Sequence, residues 1–329
     1  MLNQGIDKID LKDSKRDIAV IIPAYNCRCF IGAAIDSVYS QTLQPKEVIV
    51  IDDGSTDNLK EVIGQYLNVK YVYQEHEGVC AARNKGISVS TAGWIAFLDS
   101  DDVWMSDHLE KVMFLIRKYD LVWACGAMKV LSLKGKEIKM TRRWRELLVN
   151  GDLFKDFFEA FAMQAHFLLS ATIIRKDVIL AAGLFDVKFN IHVDYDLFFR
   201  IAVKYPKIGF VWPATVYRRI RKGSITYGKR INAILLLRKH KKIFSFEENP
   251  PSQGCRSTAE YLISQTIFSA VEKRDGRPLR ELLAEQGVLL KNYSFLRFLI
   301  WTALFFPLVS YISLGLFKFI KRTKINLLD

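Results

Sequence analysis

Short apolar runs alternate with longer mixed segments through the first third of the chain. The apolar runs lie at 18–22, 47–51, 69–73 and 94–98 and have the length of buried strands. The segments between them, at 30–41, 59–66 and 79–90, have the apolar spacing of helices. Because strand and helix alternate with short links, the pattern predicts an α/β fold with a mostly parallel sheet flanked by helices. A ligand site is then expected at the carboxyl ends of the strands.

The pattern continues into the second third of the chain with less regular spacing. It predicts helices at 107–119, 151–167 and 195–204, strands at 121–124 and 171–175, and a polar hairpin at 129–139. Pro23 is expected to end the first strand, because proline has no N–H to donate within a central sheet.

Length, composition and charge add three constraints to this picture. The chain has 329 residues, half of them hydrophobic, so it can bury a large core and carry an additional segment. Its net charge of +13 predicts attraction to phosphates, nucleic acid or an anionic membrane surface. Five scattered cysteines and an N-terminus without an apolar signal segment favour a reduced, cytosolic setting.

The distribution of charge favours a membrane surface among these partners. Residues 197–246 contain no Asp or Glu, whereas Lys and Arg recur there, which is typical either of a solvated basic face or of a surface that binds anionic lipid or phosphate. Residues 298–317 carry no charged side chain, contain Pro307 and have basic flanks. A kinked, re-entrant or interfacial segment on the cytoplasmic side fits these charges best. A single-pass span and a buried helix pair remain alternatives.

Two acidic turns follow predicted strands. D-D-G-S-T-D lies at 52–57 and D-S-D-D at 99–102, and neighbouring carboxylates repel one another unless a cation shares them. Mg²⁺ or Mn²⁺ prefers such oxygen ligands and is usually bound by one or two carboxylates together with substrate phosphates. The turns therefore indicate a phosphate-bearing substrate, and ordinary acidic loops are the alternative. Asp52 is expected to hydrogen-bond within its own turn.

An ordered set of motifs resembles the family 2 glycosyltransferases, which are inverting enzymes of the GT-A fold. The motifs are V-I-I-P-A-Y-N (20–26), S-V-Y-S-Q-T (37–42), I-D-D-G-S-T-D (51–57), G-V-C-A-A-R-N-K-G-I (78–87) and F-L-D-S-D-D-V-W (97–104). The resemblance is strong over 18–120 and continues more weakly to about 230. It implies a GT-A nucleotide-sugar-binding fold, a nucleotide-diphosphate sugar as co-substrate and a divalent metal, Mn²⁺ or Mg²⁺.

The resemblance also assigns donor-site residues. Pro23 and Tyr25 correspond to the pocket for the nucleotide base, with Tyr25 as the stacking surface. Asp53 corresponds to the acceptor of a hydrogen bond from the base, and Arg83 corresponds to a residue that supports the nucleotide. Asp99, Ser100 and Asp101 correspond to the D-x-D turn. Asp99 and Asp101 are the implied metal-site acids, with Asp101 as the direct ligand. Asn84 and Gly86 are open to either ligand contact or helix packing.

The resemblance places the catalytic base in the segment G-L-F-D-V-K-F-N-I-H-V-D-Y-D-L-F-F-R at 183–200. Asp194 corresponds to the general base that removes the acceptor proton. Asp196 is the alternative base, and Val193 departs from the glutamate that the family usually has at this position. His192 is either a pocket residue or a metal or acceptor contact. Arg221 lies in a basic loop that is similar to a diphosphate-closing loop of the family.

These features predict five segments and one activity. The segments are a leader at 1–16, a GT-A domain at 17–230, a helical extension at 231–293, an apolar membrane-associated segment at 294–322 and a basic, polar tail at 323–329. The expected activity is transfer of one sugar to a lipid-linked or cell-surface glycan, as in polysaccharide or lipopolysaccharide assembly. The alternatives are a catalytically silent nucleotide-sugar-binding or scaffold protein and a processive polysaccharide synthase. Specific nucleic-acid binding is not expected.

Overall fold

The computed structural model describes residues 17–132, 135–138, 143–189, 192–220, 233–244, 253–273 and 277–280. Four sequence predictions lie outside these residues: the leader at 1–16, the apolar segment at 298–317, the tail at 323–329 and the loop that contains Arg221.

The first half of the chain forms parallel strands joined by helices. The elements are β1 (Ile18–Ala24), α1 (Arg28–Tyr39), β2 (Glu47–Asp53), α2 (Leu59–Ile63), β3 (Val69–Gln74), α3 (Val79–Val89) and β4 (Trp94–Phe97). The strands lie in the order β3-β2-β1-β4, and each neighbouring pair is parallel. Every residue of β1 is buried, as expected for a continuous apolar strand covered on both faces.

The expectation that Pro23 ends the first strand is wrong, because β1 continues to Ala24 and Pro23 lies opposite Ile51 of β2. Alternate residues of a strand bond to opposite neighbours, and the Ile21 carbonyl accepts from Leu98 on the β4 side. Pro23 therefore faces the same side, where pairing with β4 has already ended at Ile21. No sheet partner is lost at this proline.

The second half of the chain extends the same sheet with strands of both directions. The elements are β5 (Val103–Trp104), α4 (His108–Lys118), β6 (Trp123–Leu131), β7 (Glu137–Ile138), β8 (Leu153–Phe154), α5 (Phe157–Ala162), β9 (Thr172–Arg175), α6 (Lys176–Ala181), α7 (Val193–Lys204) and β10 (Ile208–Arg219). Strand β9 pairs antiparallel with both β4 and β6, whereas β6 and β10 are parallel. The α/β fold class is confirmed, with the all-parallel part confined to β3-β2-β1-β4.

The predicted helix at 151–167 is wrong, because this segment contains strand β8 followed by the short helix α5. Leu153 and Phe154 pair with Gly209 and Ile208 of β10. Apolar residues at this spacing fit a short buried strand as well as a helix, and pairing with β10 decides between them.

The described residues fall into two compact units: those up to 220, without Phe158–Met163, form one unit, and Phe158–Met163 groups with the residues from 233 onward in the other. The later unit contains α8 (Ala233–Lys239), α9 (Lys241–Phe244) and α10 (Gln253–Lys273), which confirms C-terminal helices. Its core includes Leu236, Leu262 and Ile263, and the Thr258 hydroxyl donates to the Phe158 carbonyl. None of the helices in the described ranges combines the length and the hydropathy needed to cross a membrane.

Candidate functional site: the carboxyl edge of the parallel strands

The two acidic turns lie at the same edge of the sheet. Strands β2 and β4 flank β1 and run parallel to it, so all three carboxyl ends share one edge. Asp53 is the last residue of β2, Tyr25 directly follows β1, and Asp99 follows β4 after one intervening residue. The structure thus brings together the predicted nucleotide-base residues and the predicted D-x-D turn.

Asp53 is the centre of a hydrogen-bond network at this edge. Its carboxylate is nearly buried and accepts from the Gln74 side chain at 2.7 Å and from the backbone N–H groups of Glu77 and Gly78, both at 2.9 Å. His76 Nδ1 lies 2.9 Å from Asp53 Oδ2. This network fixes the position of Asp53 where the loop between β3 and α3 passes the sheet edge.

An aromatic platform lies beside Asp53. The rings of Tyr25 and His76 stack with centroids 4.1 Å apart and an interplanar angle of 26°. Tyr25 remains 44% exposed, so the stack leaves ring surface open for another flat group. Pro23 is buried two residues earlier in β1. Sequence reasoning missed His76, although the polar stretch E-H-E-G directly after β3 marks the same edge.

Asp52 points away from this platform into its own turn. Its carboxylate accepts from the Ser55 backbone N–H at 2.9 Å and from the Tyr71 hydroxyl at 2.7 Å. The expected turn-stabilising role of Asp52 is therefore seen in the structure.

Helix α3 contacts the D-S-D-D turn through Arg83. The guanidinium of Arg83 lies 2.7 Å from Asp99 Oδ1, and the Arg83 side chain is only 6% exposed. A Cβ on Gly86 would overlap the Ile21 side chain, so the glycine allows α3 to approach β1 closely. The Asn84 side-chain amide exchanges two hydrogen bonds with the Phe185 backbone. Asn84 and Gly86 thus make helix-packing contacts, one of the two roles that the sequence leaves open.

Ser170 supports the D-S-D-D turn through hydrogen bonds. The Asp99 backbone N–H donates to the Ser170 hydroxyl at 3.0 Å, and the Trp104 indole N–H donates to the Ser170 carbonyl. Asp102 is almost completely buried and accepts from the Arg219 backbone N–H at 3.2 Å. Ser100 is buried and Asp101 is half-buried. Ser170 is a supporting residue that no sequence motif indicated.

Three carboxyl groups, those of Asp99, Asp101 and Asp102, interact electrostatically in this turn. Burial raises the pKa of Asp102 well above its usual value, and the charges of Asp99 and Asp101 raise it further. Carboxylate oxygens under mutual repulsion are a donor set that suits a hard divalent cation. Within the described ranges, no group of three or more His, Cys, Asp or Glu side chains is arranged to hold a metal ion. A cation at Asp99 and Asp101 would therefore need further ligands from a substrate.

Asp194 lies in the first turn of α7 and interacts electrostatically with the donor-side residues. Burial raises the pKa of Asp194, the charges of Arg83 and His192 lower it, and the charge of Asp99 raises it. Asp194 therefore lies within electrostatic range of the Arg83–Asp99 ion pair, and we refer to the space beside this pair as the crevice. Its Oδ1 accepts from the Tyr195 backbone N–H at 3.0 Å.

The alternative base Asp196 is engaged elsewhere. Its side chain is 1% exposed and lies 2.6 Å from Arg200, whose guanidinium also donates to the carbonyls of Ala182 and Leu184. Asp196 thus anchors the loop before α7. Val193, at the position where the family usually has glutamate, is buried.

The architecture matches solved glycosyltransferase structures. Staphylococcus aureus TarS 1-349 in complex with UDP-GlcNAc aligns with a TM-score of 0.70 and 17% identity, covering 93% of this chain and 92% of that chain. TarS 1-349 alone aligns with a TM-score of 0.67. The fold therefore belongs to the GT-A glycosyltransferase class, as the motifs implied.

Sequence comparison identifies the family. Residues 19–177 match Glycosyl transferase family 2. An uncharacterized glycosyltransferase of Haemophilus influenzae is 30% identical over 228 residues, which cover 66% of this chain and 84% of that protein. The glycosyltransferase GlyA of Streptococcus pneumoniae is 28% identical over 223 residues, which cover 64% of this chain and 31% of GlyA. The chain belongs to glycosyl transferase family 2.

Proposed function

We propose that this glycosyltransferase moves one sugar from a nucleotide-diphosphate donor to a hydroxyl group of a glycan acceptor, with inversion at the anomeric carbon. The observation that carries the proposal is the ion pair of Arg83 and Asp99, with Asp194 in the electrostatic field of both, at the edge that also presents Tyr25 and Asp53. One edge of the sheet thus offers a stacking surface for the nucleobase, charged residues for the diphosphate and a general base for proton transfer.

The donor site is built from the residues at this edge. The nucleotide base stacks on Tyr25 above Pro23 and donates a hydrogen bond to Asp53. Arg83, Asp99, Ser100 and Asp101 surround the diphosphate. Asp99 and Asp101 would hold Mn²⁺ or Mg²⁺, which offsets the negative charge of the departing nucleotide diphosphate when it is bound. The TarS complex supports this arrangement, since that protein of the same fold binds UDP-GlcNAc.

Asp194 removes the proton from the acceptor hydroxyl as the hydroxyl oxygen attacks the anomeric carbon. Attack opposite the leaving group in a single displacement gives inversion. Burial raises the pKa of Asp194, which strengthens its carboxylate as a base. Asp196 is paired with Arg200, so Asp194 is the carboxylate of this helix turn that is available for proton transfer.

The acceptor is a lipid-linked or cell-surface glycan on the cytoplasmic side of the membrane. Support comes from the acid-free stretch at 197–246 and the apolar segment at 298–317. The relative TuaG of Bacillus subtilis, whose name assigns it to teichuronic acid biosynthesis, is consistent with a polysaccharide acceptor.

Deletion of residues 294–329 tests the membrane assignment. The full-length protein should sediment with vesicles that contain anionic lipid, and the truncated protein should remain in the supernatant because its apolar segment is missing. Sedimentation of the truncated protein with the same vesicles would transfer the anchoring role to the basic stretch.

A screen of nucleotide sugars for slow hydrolysis in the presence of Mn²⁺ tests the reaction itself. The account expects one donor to be hydrolysed without acceptor and faster release of nucleotide when a suitable glycan is added. Val193, at the usual glutamate position, favours a second hypothesis: the protein binds a nucleotide sugar without catalysing its transfer. Binding of nucleotide with Mn²⁺, without any hydrolysis or transfer of sugar, would support this hypothesis over the enzymatic one.

A further inference from the structure

A cavity of about 240 Å³ lies away from the Arg83–Asp99 crevice, between β6, β7 and β10. Its volume is comparable with that of one sugar ring. Strand β10 departs from its pairing with β6 between Val211 and Val216, which lie opposite Gly126 and Met128. The extra residues of β10 form a bulge that includes Trp212, and they open the cavity beside the sheet.

Two tryptophans form a corner of this cavity. The rings of Trp144 and Trp212 have centroids 5.5 Å apart and an interplanar angle of 75°. Trp144 is 5% exposed and packs edge-on against Phe210, with centroids 4.9 Å apart. The Arg145 guanidinium lies 5.4 Å from the Trp212 ring centroid. These contacts hold the corner in place before any ligand arrives. Flat indole faces pack well against the C–H faces of a sugar ring.

The polar groups of the cavity balance in charge. Lys129 Nζ lies 3.6 Å from Glu137 Oε2, so the two opposite charges face each other at the rim. Burial lowers the pKa of His166, and the charge of Arg218 lowers it further, so the imidazole is neutral at neutral pH. Lys129, Glu137 and His166 are the titratable side chains among the described lining residues. Together they offer donors and acceptors for the hydroxyl groups of a sugar.

Strand register places the cavity close to the D-S-D-D turn. Tyr217 of β10 lies opposite Lys129 on one side and opposite Val103 on the other, and Val103 follows the turn directly. Two strand spacings of about 4.8 Å separate Lys129 from Val103, a distance of about 10 Å. A chain of sugars can bridge that distance from the cavity toward the donor crevice.

We propose that the cavity at Trp144, Trp212 and His166 binds an uncharged sugar unit of the acceptor glycan. The proposal rests on the proposed glycosyl transfer and adds the place and the chemical class of the acceptor subsite. An indole corner with an ion pair and a neutral imidazole among its lining residues matches a neutral pyranose.

Binding of simple glycosides tests the subsite without knowledge of the natural acceptor. The probes are methyl glycosides of glucose, galactose and N-acetylglucosamine, followed by saturation-transfer NMR with and without excess UDP. At least one glycoside should bind the wild type, and UDP should not displace it. Trp212→Leu should weaken binding at least about fivefold through loss of the flat face, whereas Trp212→Phe should retain most of it. The matched control is Phe114→Leu, an exposed aromatic residue on α4 that is outside the cavity.

A second variant covers the case in which Trp212→Leu does not fold. Glu137→Gln changes an exposed residue and should weaken binding about tenfold by loss of a charged acceptor. The inference is overturned if no glycoside binds, if UDP displaces the glycoside, or if the folded cavity variants bind as tightly as Phe114→Leu. Donor hydrolysis by the wild type is measured in parallel. Its absence would remove the proposed function, whereas hydrolysis with unchanged glycoside binding in the cavity variants would remove only the subsite.

Discussion

At the residue scale, Arg83 interacts both with Asp99 of the D-S-D-D turn and with Asp194, the proposed general base. It forms an ion pair with Asp99, lies over the Phe185 ring at 5.4 Å, and contributes the largest of the opposing effects that lower the Asp194 pKa. The charge of this nearly buried guanidinium favours the charged form of Asp194 and so opposes the effect of burial on its pKa. The proposed general base and the proposed diphosphate cluster therefore both interact with the same side chain.

The raised pKa of Asp194 predicts the pH dependence of turnover. Only the deprotonated carboxylate accepts a proton, so kcat/KM should fall as the pH drops through the raised pKa, which lies above the ordinary aspartate value of about 4. His192→Asn removes a charge that lowers this pKa and keeps a residue that tolerates the left-handed backbone at φ 57°. The acid limb of this variant should move to higher pH in initial-rate measurements from pH 4 to 8.

The matched control for that profile is Arg28→Gln, which changes an exposed residue that pairs with Glu61. Its acid limb should coincide with that of the wild type. An acid limb for His192→Asn at the wild-type position or at lower pH would show that a group other than Asp194 sets the profile.

Sequence reasoning reached the acidic residues of the site and missed their supports. Asp53, Asp99 and Asp194 stand in motifs whose spacing is visible along the chain. His76 and Ser170 contact Asp53 and the Asp99 backbone from distant segments. Such contacts depend on which loops the sheet order brings together, and a single sequence does not contain that order. The tryptophan corner likewise joins residues from separate segments.

At the element scale, the packing of α3 on β1 sets the position of Arg83. Gly86→Ala forces a methyl group into the Ile21 side chain of the buried strand. The variant should lose about 1–3 kcal/mol of unfolding free energy by overpacking and should bind the donor more weakly, because Arg83 lies one turn earlier on the same helix. Denaturant unfolding and nucleotide titration measure the two effects.

Ser88→Ala is the matched control on α3, since Ser88 is exposed and its hydroxyl donates to the Lys85 carbonyl of its own helix. Its unfolding free energy should stay within about 0.5 kcal/mol of the wild type. Equal stability and donor affinity for Gly86→Ala and Ser88→Ala would contradict the close packing of α3 on β1.

The contact of α4 with β10 predicts a loss of stability in acid. His108 is fully buried, its Nδ1 lies 2.8 Å from the Thr215 hydroxyl, and burial lowers its pKa to about 3. In the unfolded chain histidine takes up a proton near pH 6.5, so the unfolded state binds more protons between pH 6.5 and 3, and stability falls as the pH drops through that window.

His108→Gln removes this proton uptake while keeping a polar group for Thr215. Between pH 7 and 5.5 the wild type should lose about 1 kcal/mol more unfolding free energy than the variant, as measured by urea unfolding. Parallel losses in the two proteins would assign the acid sensitivity to other groups.

Elements with regular spacing were predictable, and elements fixed by long-range pairing were not. The inner strands β2, β1 and β4 of the β3-β2-β1-β4 half follow the apolar pattern because nearly all of their residues are buried. Strand β8 was read as helix, because only its pairing with β10 shows that Leu153 and Phe154 belong to the sheet. Pro23 could remain in β1 because β4 pairs no further than Ile21, which no local rule reveals.

At the scale of the whole sheet, the parallel half and the mixed half carry different proposed binding sites. The parallel half β3-β2-β1-β4 ends at Tyr25, Asp53 and Asp99 and forms the proposed donor side. The mixed half, with β6 and β10, carries the cavity proposed for the acceptor. The D-S-D-D turn joins them, since it follows β4 and leads into β5, which pairs with β10. One continuous sheet can therefore place a donor and an acceptor on either side of the same turn.

The central claim is that Asp101 serves donor binding and Asp194 serves proton transfer. Calorimetric titration of nucleotide diphosphate with Mn²⁺, together with sugar transfer or donor hydrolysis, separates these roles in Asp101→Ala and Asp194→Asn. The account predicts that Asp101→Ala loses metal-dependent binding, whereas Asp194→Asn binds like the wild type and loses turnover by about 100- to 10,000-fold. Intact metal-dependent binding in Asp101→Ala, or wild-type turnover in Asp194→Asn, would contradict it.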